Sequence, residues 1–197
     1  GFDPVTNLQF GDNSGYALSQ PVTNQNFVVT PLSSIMNADG STDYDTFKTK
    51  LGLDSDYMIR FNDPFSNLGD ASLNKAAVVN TQIAIMKSII SELGSGSESD
   101  AESSIATQII TRTGDETSLG DTTWTKNAIT ALSSSSDDFS PSSEQLVSLS
   151  AGISAFMQKI NANDSSNSHS HFAKAGMSEL KDLMKKVMEG TADSAEI

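Results

Sequence analysis

The longest predicted helix, from about Ala71 to Leu93, constrains the fold more than any other part of the chain. Turn-forming sequences flank it, NLGD before and GSG after, and a helix over this span is about 35 Å long. Its apolar side is widened well beyond a narrow stripe, and the positions involved are Leu73, Ala76, Ala77, Val79, Asn80, Ile83, Ala84, Met86, Lys87, Ile89, Ile90 and Leu93. Such a helix is expected at the centre of a fold, packed on several sides.

Five further helices are predicted from apolar residues that recur three and four positions apart. They begin at Pro31, at Ser41 or Thr42, at Asp100, at Asp121 and after Ser140-Pro141. Asp63-Pro64 has the same cap-and-proline form as a helix start and is followed by a turn. The predicted fold class is mainly α, a multi-helix bundle of about six helices with a short extended or β segment at the N terminus.

The chain divides into four parts by composition. Residues 1–30 are rich in Gly, Asn, Asp and Pro and predict an extended segment with β-turns. The helical bundle is placed at 31–160, and a linker-like loop at 161–176. Residues 177–197 carry a last amphipathic helix, with Met177, Leu180, Leu183, Met184 and Val187 on one face. That helix is expected either to dock on the bundle or to lead to a following module.

The stretch NFVVTPLSSIM marks the entry into the bundle. Residues 27–29 are predicted to finish a short strand, Thr30 to cap the first helix, and Pro31 to occupy its first position, where a missing N–H is harmless. Leu32 and Ile35 then enter the core. Further along, Gly52 is predicted to end the second helix in the left-handed conformation.

Charge and composition exclude several classes of function. The net charge is −13, which opposes binding to nucleic acid or to an anionic membrane surface. No apolar run approaches the roughly 20 residues of a membrane span. The chain has no cysteine, so disulfides, thiolate nucleophiles and Cys-based zinc sites are ruled out.

Two groups of residues are candidates for metal binding. Asn37, Asp39, Asp43 and Asp45 lie in an oxygen-rich stretch that resembles calcium loops, but their spacing does not fit an EF-hand. The favoured interpretation is a turn followed by acids at a helix start, so no cofactor is predicted and calcium stays an alternative. His169 and His171 lie in the linker-like stretch without a third ligand.

No motif for a catalytic nucleophile or for phosphate binding occurs in the sequence. Trp124 is the single tryptophan, and its place on an apolar helix face predicts core packing rather than sugar stacking. The chain is therefore predicted to be no enzyme, with a hydrolase as a remote alternative.

Several segments in the same order carry a resemblance: GFDPVTNLQF, NFVVTPLSSIM, FKTKLGLDSD and FNDPFSN. They resemble a helical module of large modular bacterial surface or secreted proteins, such as RTX-type and Ig-like-repeat adhesins. In that group a V-V-T-P-L motif follows a small β segment. The likeness covers roughly residues 1–93, with Ser33 and Ser34 in place of the usual Thr-Thr.

The resemblance implies an extracellular or bacterial cell-surface location and supplies no catalytic residues. Because the chain begins at Gly1 without a leader, we expect a piece of a longer exported protein. The predicted function is a helical spacer or adhesion-related interaction module, with neighbouring modules, a surface glycan or a protein as partners. The alternative is a glycan- or calcium-binding module of such a protein.

Overall fold

A computed structural model describes residues 28–38, 43–93, 98–111, 119–135, 139–162 and 169–191. Within these ranges the chain forms helices and no strand. The helices are α1 (Pro31–Ala38), α2 (Tyr44–Lys50), α3 (Ala71–Leu93), α4 (Glu98–Ile110), α5 (Thr122–Ser135), α6 (Ser143–Ala162) and α7 (His169–Glu189). The predicted mainly α bundle is confirmed. The predicted extended segment lies outside the described residues except for 28–30.

Helix α3 is the centre of the bundle, as its broad apolar surface predicts. Every residue from 76 to 90 is buried, and α3 packs against α1, α4, α6 and α7. Two of its buried polar side chains bond to carbonyls: Thr81 donates to the Ala77 carbonyl at 2.8 Å, and the Gln82 amide donates to the Met157 carbonyl of α6 at 3.1 Å. A buried polar group without a partner would cost about 1–3 kcal/mol.

The start of α1 confirms the predicted cap at Thr30. Its hydroxyl oxygen accepts from the Ser33 N–H at 3.1 Å, and the Ser33 hydroxyl oxygen accepts from the Thr30 N–H at 2.9 Å. This reciprocal pair has the form of a capping box, with Ser33 in place of the usual acid. Pro31 is the first helical residue, and the Leu32 N–H donates to the Asn80 side chain of α3 at 2.9 Å.

Helix α2 starts one or two residues later than predicted and ends where predicted. Asp43 is its N-cap, in place of Ser41 or Thr42, because a carboxylate at this position reaches the free N–H of Thr46. At the other end Gly52 has a φ of 59°. The N–H groups of Gly52 and Leu53 donate to the carbonyls of Thr49 and Lys48, which is the paired bonding of a Schellman motif.

The segment around Pro64 forms turns rather than a further helix. The Asp63 carboxylate accepts from the Phe65 N–H at 2.9 Å, and the Asp63 carbonyl accepts from the Ser66 N–H at 3.2 Å. The local bonding of this aspartate therefore completes a turn before a helix can propagate. Val28, at the entry to the bundle, donates its N–H to the Arg60 carbonyl at 2.9 Å.

Helix α7 begins earlier than predicted and docks on the bundle. It starts at His169 rather than 177, and α6 continues to Ala162, so the predicted linker-like loop 161–176 is helical over 161–162 and 169–176. Ala173, Lys174 and Ala175 are good helix formers, and the helix can extend through them without large apolar residues. Helix α7 packs against α3 and α6. None of the described helices combines the length and apolarity that crossing a membrane requires.

Candidate functional site

The described calcium candidates lie in α1 and at the start of α2, and the two aspartates bond to residues of α2 itself. The Thr46 hydroxyl and then its backbone N–H donate to the Asp43 carboxylate at 2.7 and 3.0 Å, and together they lower the pKa of Asp43. Asp45 pairs with Lys48 at 2.9 Å, and Asn37 lies in α1. In the part of the chain that the structure describes, which omits Asp39, no three His, Asp or Glu residues are grouped to hold a metal ion.

A buried polar cluster ties α1, α3 and α4 together. The Lys87 ammonium of α3 forms an ion pair with the Glu102 carboxylate of α4, and their side chains are only 1% and 7% exposed. The Ser34 hydroxyl of α1 donates to the same Glu102 oxygen at 2.5 Å. Serine, lysine and glutamate together have the chemistry of a nucleophile with a base. All three are enclosed in the core, so a substrate would have to separate α1 from the bundle to reach them.

Sequence reasoning placed Lys87 on the apolar side of α3 but missed its partner. Glu102 lies three residues before Ile105 and seven before Ile109, so it shares the apolar face of α4. The signal was therefore present, because opposite charges on two apolar faces are expected to meet in a folded core. The acids Glu98 and Asp100 lie close before Glu102 in the sequence, and this acidic stretch hides the signal.

A second polar contact anchors α1 near Tyr57. Asn80 accepts from the Leu32 N–H and donates to the Ala76 carbonyl at 2.8 Å. Tyr57 is 3% exposed, and its burial raises its pKa to about 12, while a side-chain hydrogen bond with Asn80 acts in the opposite direction. These groups are buried and hold the helix entry in place.

The concave candidate site is a groove between α6 and α7. Its volume is about 440 Å³, within the roughly 300–1,000 Å³ range of small-molecule sites. The lining residues are Gly152, Ala155, Phe156 and Lys159 of α6 and Gly176, Glu179, Leu180, Asp182, Leu183 and Lys186 of α7. Phe156, Leu180 and Leu183 supply its apolar surface, and the charged residues supply its polar one. We call this feature the α6/α7 groove.

Glycines on both helices shape the α6/α7 groove. A Cβ atom on Gly176 would lie 2.1 Å from Cε2 of Phe156, and a Cβ atom on Gly152 would lie 3.0 Å from Cδ2 of Leu183. Each large side chain therefore covers the backbone of the opposite helix. At the far end of the pair, the Gln145 amide donates to the carbonyls of Val187 and Met188 at 3.1 and 3.0 Å, which fixes the end of α7 against the start of α6.

The groove has four charged residues. Two of them form an ion pair with each other, and the other two, Lys159 and Glu179, do not; we call these two the open pair. Lys186 pairs with Asp182 along α7 at 3.4 Å. Lys159 of α6 and Glu179 of α7 are exposed, and neither forms an ion pair with a residue whose side chain the structure describes. An ammonium and a carboxylate thus stand on opposite walls, more than an ion-pair distance apart.

Three residues that the sequence singled out lie elsewhere. Trp124 is 3% exposed and its indole N–H donates to the Gln108 carbonyl at 3.3 Å, which confirms core packing. His169 and His171 belong to the first turn of α7. The sequence predicts the apolar faces of α6 and α7 but not the set of residues that line the groove. A groove depends on how two helices pair, which the sequence pattern of each helix does not contain.

Comparisons with family models, curated proteins and solved structures gave no match for this chain.

Proposed function

We propose that this chain is a non-enzymatic helical module of an exported modular bacterial protein, where it serves as a spacer or an adhesion-related interaction domain. The proposal places it outside the cell or on the cell surface. It draws on the acidic, cysteine-free composition and on the resemblance of the V-V-T-P-L stretch to the corresponding modules.

The observation that carries the proposal is the role of that stretch in the bundle. Thr30 caps α1, Pro31 opens it, and Leu32 is fully buried with its N–H held by Asn80 of the central helix. The motif thus forms the start of a helical unit that has its own core. A unit with its own core can in principle fold by itself among other modules.

The placement of the reactive side chains favours binding or spacing over catalysis. Ser34, Lys87 and Glu102 stabilise one another inside the core. In the α6/α7 groove the two carboxylates, Glu179 and Asp182, both belong to α7. Glycoside hydrolysis uses carboxyl groups on both sides of the scissile bond, which one helical wall does not provide.

The test is the location and context of the full-length protein. An antibody against this domain should label intact producing cells or their medium, and external protease should remove the label, while a cytoplasmic marker stays protected. The full-length gene should encode an export signal and repeated modules around this segment. Retention of the protein in the cytoplasm would overturn the proposal.

A further inference from the structure

We propose that the α6/α7 groove binds a short zwitterionic peptide with apolar side chains. This inference deepens the interaction role proposed above and rests on it. Its starting point is the open pair of charges, Lys159 on one wall and Glu179 on the other. A ligand that carries one anionic and one cationic group satisfies both without changing the net charge of the site.

The apolar part of the groove specifies the rest of the ligand. Phe156 and Leu183 are half-buried and Leu180 is 4% exposed, so they present an apolar surface between the two charged walls. Covering such surface contributes roughly 25 cal/mol per Å² of apolar area removed from water. A free peptide combines an ammonium, a carboxylate and apolar side chains in one molecule, and we assign its carboxylate to Lys159 and its ammonium to Glu179.

The size of the groove favours a peptide over smaller zwitterions. Gly152 and Lys159 are seven residues apart on α6, so the groove runs about 10 Å along the helix. Its volume of about 440 Å³ exceeds what a phosphocholine group or one free amino acid would fill. Lys186 and Asp182 neutralise each other at 3.4 Å, so they leave the open pair to select the ligand.

Calorimetric titration of the full chain with the tripeptide Leu-Ala-Leu tests the proposal. Peptide with free termini should bind, and N-acetylated or C-amidated peptide should bind about tenfold more weakly, the weakening expected when a hydrogen-bonded charge is removed. Lys159→Gln should make free and amidated peptides bind alike, and Glu179→Gln should make free and acetylated peptides bind alike.

Matched controls keep the result specific to the groove. Lys126→Gln on the exposed side of α5 and Glu144→Gln at the start of α6 remove the same charges elsewhere and should leave binding unchanged. Ala155→Leu puts a larger side chain at an exposed lining position and should abolish binding while the chain stays folded by circular dichroism.

Three outcomes would overturn the assignment: no binding of the tripeptide at millimolar concentration, equal binding of free and doubly capped peptide, or binding of phosphocholine in preference to peptide. None of these outcomes bears on the proposed cellular location. A cytoplasmic protein that still bound the peptide would overturn the module proposal alone, so the two proposals fail separately.

Discussion

At the scale of single residues, the bundle depends on polar side chains that satisfy helix ends. Thr30 and Ser33 exchange hydrogen bonds at the start of α1, and Asp121 and Ser142 accept from the N–H groups of Trp124 and Gln145 at the starts of α5 and α6. The first N–H groups of a helix lack partners within it. These caps therefore help to decide where α1, α5 and α6 begin.

Thr30→Ala should lower the free energy of unfolding by about 1 kcal/mol, because the Ser33 N–H loses its acceptor. Thr30 is only 3% exposed, so water does not readily replace its hydroxyl. Denaturant titration measures the change. Thr30→Ser keeps the hydroxyl and should retain most of the stability. An alanine variant as stable as the parent would show that the cap contributes nothing.

Tyr57 should make stability fall in alkaline solution. Burial raises its pKa from the model-peptide value of 10.0 to about 12, so the folded state favours the neutral phenol. The preference for the neutral phenol contributes on the order of 2 kcal/mol to the free energy of unfolding. This contribution is fully present below pH 10 and is lost as the pH rises through about 12. Tyr57→Phe should remove this step from the pH profile of unfolding, whereas Tyr44→Phe should keep it.

At the scale of helices, two contacts decide how the elements pair. The cluster of Ser34, Lys87 and Glu102 joins α1, α3 and α4 across the core. The glycines of α6 and α7 let Phe156 and Leu183 cover the opposite backbone. Both contacts are specific in geometry, because one depends on charge complementarity and the other on the absence of a side chain.

Lys87→Met should destabilise the fold by about 3–5 kcal/mol, because it leaves the Glu102 carboxylate buried without its cation. The double variant Lys87→Met, Glu102→Leu should recover most of this loss, since apolar residues of similar volume can replace a buried pair. Thermal unfolding of the single and double variants gives the comparison. If the double variant were no more stable than Lys87→Met, the ion pair would not be the source of the loss.

Gly176→Ala sets two effects against each other. Alanine favours a helix by about 1 kcal/mol over glycine, but its Cβ would lie 2.1 Å from the Phe156 ring, and overpacking costs about 1–3 kcal/mol. We expect net destabilisation in the parent chain and net stabilisation in a Phe156→Ala background. Ser178→Ala, exposed on the same helix, is the control. Stabilisation of the parent would mean that α6 and α7 separate easily.

At the scale of the whole molecule, an acidic surface surrounds a core built on α3. The net charge of −13 makes the compact state repel itself. The few exposed ion pairs that the described residues form, such as Lys185 with Glu189 at 3.9 Å, contribute little each. Burial of residues 76–90 by the surrounding helices therefore has to overcome the repulsion.

The midpoint of thermal unfolding should rise when salt is increased from about 0.01 M to about 1 M, because screening shortens the reach of the repulsion from about 30 Å to about 3 Å. Differential scanning calorimetry at constant pH measures the midpoint. A sucrose series separates screening from general solvent exclusion. A midpoint that falls with salt would show that attractive ion pairs outweigh the net charge.

The sequence by itself determined features that depend on a few neighbouring residues or on one helix. The cap at Thr30, the stop at Gly52 and the central place of α3 follow from local hydrogen-bonding capacity, from conformational freedom and from an apolar surface too wide for one neighbour. Each of these signals lies within one element, so no knowledge of the partner element is needed.

Only the tertiary structure decided the contacts that join distant parts of the chain. Lys87 meets Glu102, Asn80 holds the N–H of Leu32, and the α6/α7 groove forms because two helices pair at glycines. Periodicity says which face of a helix is buried but not which helix covers it, and that choice depends on the packing of all the elements together.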